Sequence, residues 1–576
     1  MRIECFNYIR WSVFKVVKKN KKVGLVLLVI ILLVAGFAGG SLIRSRLIGH
    51  RTESEYKYNS NFGKDEYVRS VTYFGESWPI NFWNSELETL DSDFKQIKSD
   101  GFNSIILVIP WKEFQPSVDP IEYNDYPFEK LDEILNAAEK HDLDVYARVG
   151  YLWDFYNDQN ENIALRSFDI MCKGQAYTAW LDYCKQLYEA LSKHPNYKDS
   201  FLTWEDFWGA LGVCLGGDEQ IRLEHAKVAG YQAWVENKFG LDSYNEEFGY
   251  NYSDISSVPF PDRSEPGMKA FYNYFDDFLN GILADTQEVF PNMSMEVRQD
   301  ADPIVKLDGG SAHYSHEETY SCEDSDYVAT MYGIHMGFSN NGERVTAEET
   351  LPCTEYILKD LTEKNGGKPV YVEQFLFYDN AQGFDQNAKL QEGEIGKYLE
   401  SVSGVLANYT RGYALWTYRD YRGSMIYNPQ FGIGDAGWEI EGNATVENSS
   451  EYNSNVCRLS KGDALTQFIP GVRNHYQNDV YNLEFDVKEA NGAKLEISFG
   501  NDTKEIQIDS AGNYSLQFNI NDSLDLKIRV TDGDIVLDNL NLYSFIQKGL
   551  LYDENNERQP LVDSIKKLNK QLSKIG

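Results

Sequence analysis

After a polar stretch that runs to about Lys57, the chain alternates short, continuous apolar runs with longer stretches whose apolar residues recur at helical spacing. That order is expected of parallel β/α architecture. In NSELETLDSDFKQIKSDG, Leu87, Leu90, Phe94 and Ile97 share one helical face, Ser85 with Glu88 reads as a capping box, and Gly101 supplies the stop. The run NSIILVIPW, Asn103 to Trp111, then suits a strand buried on both faces. A second helix follows, with Phe128, Leu131, Ile134, Leu135 and Ala138 aligned, and LDVYARVGYLW reads as the next strand. The pattern predicts eight strands, near residues 70–75, 104–110, 143–149, 200–205, 293–298, 327–332, 369–373 and 412–417. Eight such units imply a (β/α)8 TIM barrel, whose chemistry gathers at the C-terminal ends of the strands.

Two segments break this rhythm. Beyond residue 434, YNLEFDVK, AKLEISFG, YSLQFNI, LKIRV and DIVLDNLNLYS alternate with period two between Asn, Asp and Gly turns, which predicts an all-β sandwich over 435–545. At the other end, Val23 to Ile43 carries no charge and has the length of about 20 residues that spans a bilayer. Lys15, Lys18, Lys19, Lys21 and Lys22 crowd its upstream side, so the positive-inside rule puts residues 1–22 in the cytoplasm and the bulk of the chain outside the cell. The expectation is a single-pass signal anchor in the cell membrane; the small residues from Ala35 to Gly40 leave a cleaved signal peptide as the alternative. The expected order is therefore tail 1–22, transmembrane helix 23–43, tether 44–60, barrel 61–434, sandwich 435–545, and a last barrel segment with its helix over 546–576.

A formal net charge of -35 argues against a nucleic-acid partner, and 39 Tyr, 31 Phe and 11 Trp favour neutral substrates with faces for stacking. The seven cysteines show no CxxC spacing, and no metal-ligand spacing or required cofactor is apparent in the barrel.

The strand-like KPVYVEQF runs into a carboxylate, Glu373, and FLTWEDFWG does the same at Glu205. On a barrel these residues stand at the mouth, on strands seven and four. Two carboxylates there can flank a glycosidic bond, one protonating the leaving oxygen while the other attacks or activates water. Asp206 and Glu219 compete with Glu205 for its role, and a rim ion pair is the bland alternative for each glutamate. Trp78, Trp111, Trp153 and Trp208 follow predicted strands and either stack on sugar rings or pack beneath loops. Arg148 and Arg298 either hold the carboxylates ionised and bond sugar hydroxyls or form ordinary ion pairs, and His335 reads as structural.

On these residues the chain resembles the retaining glycoside hydrolases of clan A. The opening TYFGESWPINFWNSELETLDSDFKQIKSDGFNSIILVIPWKEFQP and the segment YQAWVENKFGLDSYNEEFG are similar in layout to the family-42 β-galactosidase type. The resemblance covers most of Tyr73 to Tyr421. It implies Glu205 as acid/base, Glu373 as nucleophile, Tyr332 as the tyrosine that orients the nucleophile, and Trp416 as the floor of the sugar subsite. Trp204 departs from it, because the clan has Asn before the acid/base glutamate to contact the sugar; in that place Trp204 is itself expected to contact the substrate. The span from about Asp435 to Phe545 resembles jelly-roll carbohydrate-binding modules, which implies a structural calcium ion with Asp538 as candidate ligand; a spacer without a sugar site is the alternative. KGLLYDENNERQPLVDSIKKLNKQL resembles the passage from strand eight to the last helix of such barrels, so the sandwich is expected as an insertion after strand eight. The expected function is a membrane-anchored, extracytoplasmic β-glycoside hydrolase acting on an oligo- or polysaccharide. The alternatives are an endo-glycanase or transglycosylase on an exported polysaccharide, and a non-catalytic glycan-binding scaffold.

Overall fold

The computed structural model describes residues 62–85, 89–152, 163–203, 205–299, 302–333, 342–377, 388–469, 480–519, 524–544 and 546–575. The predicted transmembrane segment 23–43, with Leu87, Glu88, Trp153, Trp204 and His335, lies outside them. Among the described residues no helix is long and apolar enough to cross a membrane.

Eight parallel strands close into a barrel: β1 (Val68–Thr72), β2 (Ser104–Pro110), β3 (Asp144–Tyr151), β4 (Tyr197–Leu202), β5 (Met293–Val297), β6 (Val328–Tyr332), β7 (Val370–Leu376) and β8 (Gly412–Trp416). Each neighbours the next in sequence, and β8 pairs with β1. All seven residues of β2 are buried, because a barrel strand meets helices on one side and the lumen on the other. Period two sorts them: Ile105, Leu107 and Ile109 join the core beneath the helices, whereas Ile106 faces the lumen.

The lower lumen is filled by Phe62, Val68, Ile106, Tyr146, Phe201, Tyr327, Ala329, Tyr371 and Ala414. These side chains form the floor on which the next layer stands. Two residues above Tyr146 on β3 is Arg148, two above Tyr371 on β7 is Glu373, and two above Ala414 on β8 is Trp416.

The helix predicted to start at the Ser85 box is found as α2 (Leu90–Ser99), and a short helix, α1 (Pro79–Trp83), precedes Ser85. Ser85 Oγ donates to the Asn81 carbonyl at 2.6 Å, so its hydroxyl closes α1 instead of capping α2. Further helices used below are α3 (Met268–Gln287), α4 (Ala347–Lys364), α5 (Glu394–Ser401) and α6 (Leu561–Leu572).

Between β8 and α6 in the chain lies an eight-stranded antiparallel sheet with its own apolar core. Its two longest strands, Val480–Phe499 and Leu524–Tyr543, pair along most of their length and shift register between Asn491 and Lys494. Gly533, at φ 71°, permits that shift, since a Cβ there would stand 2.5 Å from the Asn491 carbonyl. Met425, Ile426 and Phe431 already belong to this second core, ahead of Asp435.

The expected calcium ligand Asp538 is instead an ion-pair partner. Lys488 Nζ lies 3.2 Å from its carboxylate, Ser454 donates at 3.0 Å and the Asn539 N–H at 2.7 Å. An ammonium occupies the place a cation would take, so these residues do not fit calcium. Among the described residues no cluster of three or more His, Cys, Asp or Glu could hold a metal ion.

After the sheet, Ile546–Gln547 pairs with Tyr421–Arg422, and α6 packs against α5. Tyr413 of β8 donates to Asn569 of α6 at 2.5 Å, and Asn569 donates to the Asp100 carbonyl after α2 at 3.0 Å. The last helix thus seals the junction of β8 with β1.

Candidate active site

Arg148 is the centre of the layer above the lumen floor. It is 1% exposed. Its Nη2 lies 3.3 Å from Glu205 Oε2 and 3.7 Å from Glu296 Oε2, and its Nη1 lies 4.0 Å from Glu373 Oε2. Three carboxylates from three strand ends therefore share one guanidinium, whose rigid fork can face several acceptors at once.

The strands set these positions. β4 ends at Leu202, earlier than the pattern suggested, and Glu205 begins a short 3-10 turn, Glu205–Phe207. This lifts its side chain to 32% exposure, against 1% for Glu373 and Glu296. Glu373 occupies an irregularity in β7: Val372 pairs with Tyr413 and Phe375 with Leu415, so β7 carries one residue more than β8 at this point. A bulge at a barrel rim re-aims a side chain. Here it holds Glu373 inward while returning Phe375 to the outer core.

Burial pushes the Glu373 carboxyl up from the ordinary range; Arg148 pulls it back, Glu205 adds to the rise, and the outcome is about 7.

Trp78, Trp416 and Tyr427 are half-buried and pack on Val108 and Tyr151 at the mouth. The Arg148 guanidinium lies 5.6 Å from the Tyr151 ring centre, which joins this aromatic wall to the charged layer. Trp208 is 36% exposed, and the Arg298 guanidinium lies 5.0 Å from its ring centre, so Arg298 is found stacked on an aromatic ring. Glu219 is exposed at the start of a separate helix, Glu219–Val228, and does not join the cluster.

Two expected substrate contacts are corrected. Tyr332 follows Val328 and Thr330 on the outward face of β6, and its hydroxyl shares a 2.6 Å hydrogen bond with Thr354 of α4. It cannot orient Glu373 from there. Trp111 continues the outward series Ile105, Leu107 and Ile109; it is fully buried against Trp180 and donates to Gln115 at 2.8 Å. Glu296 was missed, although its signal matches that of Glu373: a lone acid near the end of an apolar run, in MSMEV. Tyr427, in the passage into the second sheet, carries no local signal.

No family model matches the chain, and no curated protein matches it. Solved structures do. A variant of GH5_18 from Streptomyces cattleya in complex with Manb1-4GlcNAc is similar at 14% identity over 62% of this chain and 72% of that one, with a TM-score of 0.40. An exo-beta-1,4-mannosidase from Opitutaceae bacterium strain TAV5 is similar at 12% identity over 62% and 53%, with a TM-score of 0.37. An endo-1,4-beta-mannanase from Rhizomucor miehei is similar at 10% identity over 61% and 86%, also at 0.37. At these identities and scores the likeness carries nothing about substrate.

Proposed function

We propose that the protein is a retaining β-glycoside hydrolase working by double displacement. The observation that carries this reading is the sharing of Arg148 by Glu205 and Glu373, from the ends of β4 and β7. Glu205, the more exposed of the two, protonates the leaving oxygen while Glu373, steadied by Arg148, attacks the anomeric carbon. Esterification removes the negative charge facing Glu205. Glu205 then serves as the carboxylate that takes a proton from water, and the ester is hydrolysed with net retention. The half-buried aromatic wall supplies faces for neutral sugar rings. The uncharged segment 23–43, behind its lysine cluster, supports a membrane-anchored enzyme that acts outside the cytoplasm.

Hydrolysis of aryl β-D-galactosides, mannosides and glucosides tests the reading. Turnover is expected, with the β-anomer as the first product by NMR; Glu373→Gln should lose at least about 1,000-fold in kcat/KM on every substrate, and Glu205→Gln on those with unactivated leaving groups. Azide should restore turnover to a small Glu205 variant with the β-glycosyl azide as product, whereas a small Glu373 variant should give the α-glycosyl azide. No turnover on any aryl glycoside or β-linked oligosaccharide would replace the hydrolase with the glycan-binding scaffold.

A further inference from the structure

Residues 424–428, in the passage from the barrel into the second sheet, are held from both sides. On the barrel side, Asn81 Nδ2 donates to the carbonyls of Ser424 at 3.1 Å and Ile426 at 3.0 Å, and the Asn428 N–H donates to Asn84 Oδ1 at 3.0 Å. All three asparagines are fully buried. On the sheet side, Met425 and Ile426 sink into the second core. Tyr427, between these anchors, turns the other way into the barrel mouth.

Its position is fixed by one residue of the sheet. Gln467, on strand Ala464–Ile469, accepts from the Tyr427 N–H at 2.8 Å and donates to the Tyr427 carbonyl at 3.0 Å. Gln467 is 2% exposed, and its amide contacts Tyr427 through both its donor and its acceptor, much as a neighbouring strand would. The Tyr427 ring lies against Gly437, where a Cβ would stand 2.8 Å from it, and its hydroxyl donates to Glu113 at 3.1 Å just after β2. The other two rings of the wall are also backed: Trp78 stacks on Tyr421 with centres 5.9 Å apart, and Trp416 lies 5.5 Å from Phe74. Three rings, each supported from behind and each half exposed, thus stand beside the charged layer.

We propose that Tyr427 completes, with Trp78 and Trp416, a subsite for a neutral pyranose ring of a β-linked oligosaccharide, and that the second sheet builds this subsite by holding Tyr427 through Gln467. The sugar's C–H faces lie on the rings, and Glu113 accepts from its hydroxyls or from Tyr427. On this view the sheet is part of the barrel's binding site and sets its specificity. The inference rests on the hydrolase reading for the identity of the ligand.

The test uses the full chain carrying Glu373→Gln, which should bind without turning over, titrated with β-1,4-linked mannopentaose and cellopentaose and followed by tryptophan fluorescence and calorimetry. Tyr427→Ala should weaken binding of the better pentaose about tenfold, Gln467→Leu about threefold, and Tyr427→Phe less than about twofold, because the ring and not the hydroxyl does the stacking. Melting temperatures taken alongside separate lost binding from lost folding. Should Tyr427→Ala not fold, Trp78→Ala on the same wall carries the same tenfold expectation. Folded variants with unchanged affinity, or a Glu373→Gln parent that binds neither pentaose, would overturn the subsite. A wild type that cleaves nothing, together with binding that still depends on Tyr427, would sink the hydrolase reading and leave the subsite standing.

Discussion

Glu373 carries a stability cost whose sign can be worked out. Its folded pKa, about 7, lies above its ordinary value of 4.5, so the folded protein binds this proton more tightly than the unfolded chain does. The contribution is fully present below 4.5 and is lost as pH rises through 7. At about 1.36 kcal/mol per unit, the wild type gives up roughly 3 kcal/mol across that window relative to a side chain that does not ionise. Glu373→Gln should therefore melt higher than the wild type at pH 8 and show much less advantage at pH 4.5, as measured by calorimetry. Equal differences at both values would mean that the carboxyl is not held protonated. Arg148 acts in the opposite sense on the same group. Arg148→Met should move the acid limb of the kcat/KM profile to higher pH, because the cation that favours ionised Glu373 is gone. Activity at neutral pH should fall at least about 100-fold. A profile of lower height and unchanged shape would assign Arg148 to substrate contact alone.

Among the elements, the hairpin after β5, Asp302–Val305 with Ser311–Tyr314, is tied to α3 by His316. The ring is fully buried between Asp276 Oδ1 at 2.8 Å and Asp302 Oδ2 at 3.0 Å. Burial opposes its charge, but the two carboxylates outweigh burial and raise its pKa from 6.5 to about 9. This contribution is complete below 6.5 and disappears as pH rises through 9, a window that overlaps that of Glu373 only between 6.5 and 7. Between pH 6.5 and 9 the wild type should lose on the order of 3 kcal/mol that His316→Gln does not lose, read from unfolding midpoints in urea. Parallel curves for the two proteins would show that the imidazole is neutral.

At the scale of the molecule, the barrel depends on chain that arrives after the second sheet. Val562, Ile565, Leu568 and Leu572 of α6 are fully buried. At about 1.5–3 kcal/mol each, they contribute about as much as the whole net stability of an ordinary domain. A chain ending at Gln547 should lose the cooperative unfolding of the barrel in calorimetry, whereas a chain ending at Lys574 should keep it. An unchanged barrel transition in the shorter chain would mean that α6 is dispensable to closure.

The eight strands and the inward placing of Glu373 were legible in the sequence because apolar runs and period two are local properties. Tyr332 shows the limit of a motif applied without that period: Val328 and Thr330 place it outward, where it meets Thr354. The Ser85 box failed for a similar reason, since the Asn81 carbonyl one turn back competes for the hydroxyl. Glu296 carried the same signal as Glu373, but only the closed barrel brings both to Arg148, because pairing around a ring relates strands far apart in sequence. Tyr427 had no signal at all. Its placement depends on the hydrogen bonds that Gln467 and Glu113 make with it and that Asn81 makes with Ile426 beside it, from tens to hundreds of positions away, which exist only once two cores have formed side by side. Sequence alone therefore determined which segments form strands and which way their side chains alternate. Tertiary structure decided which of those side chains share a charge and which aromatic rings stand beside them, since both depend on distances that only packing sets.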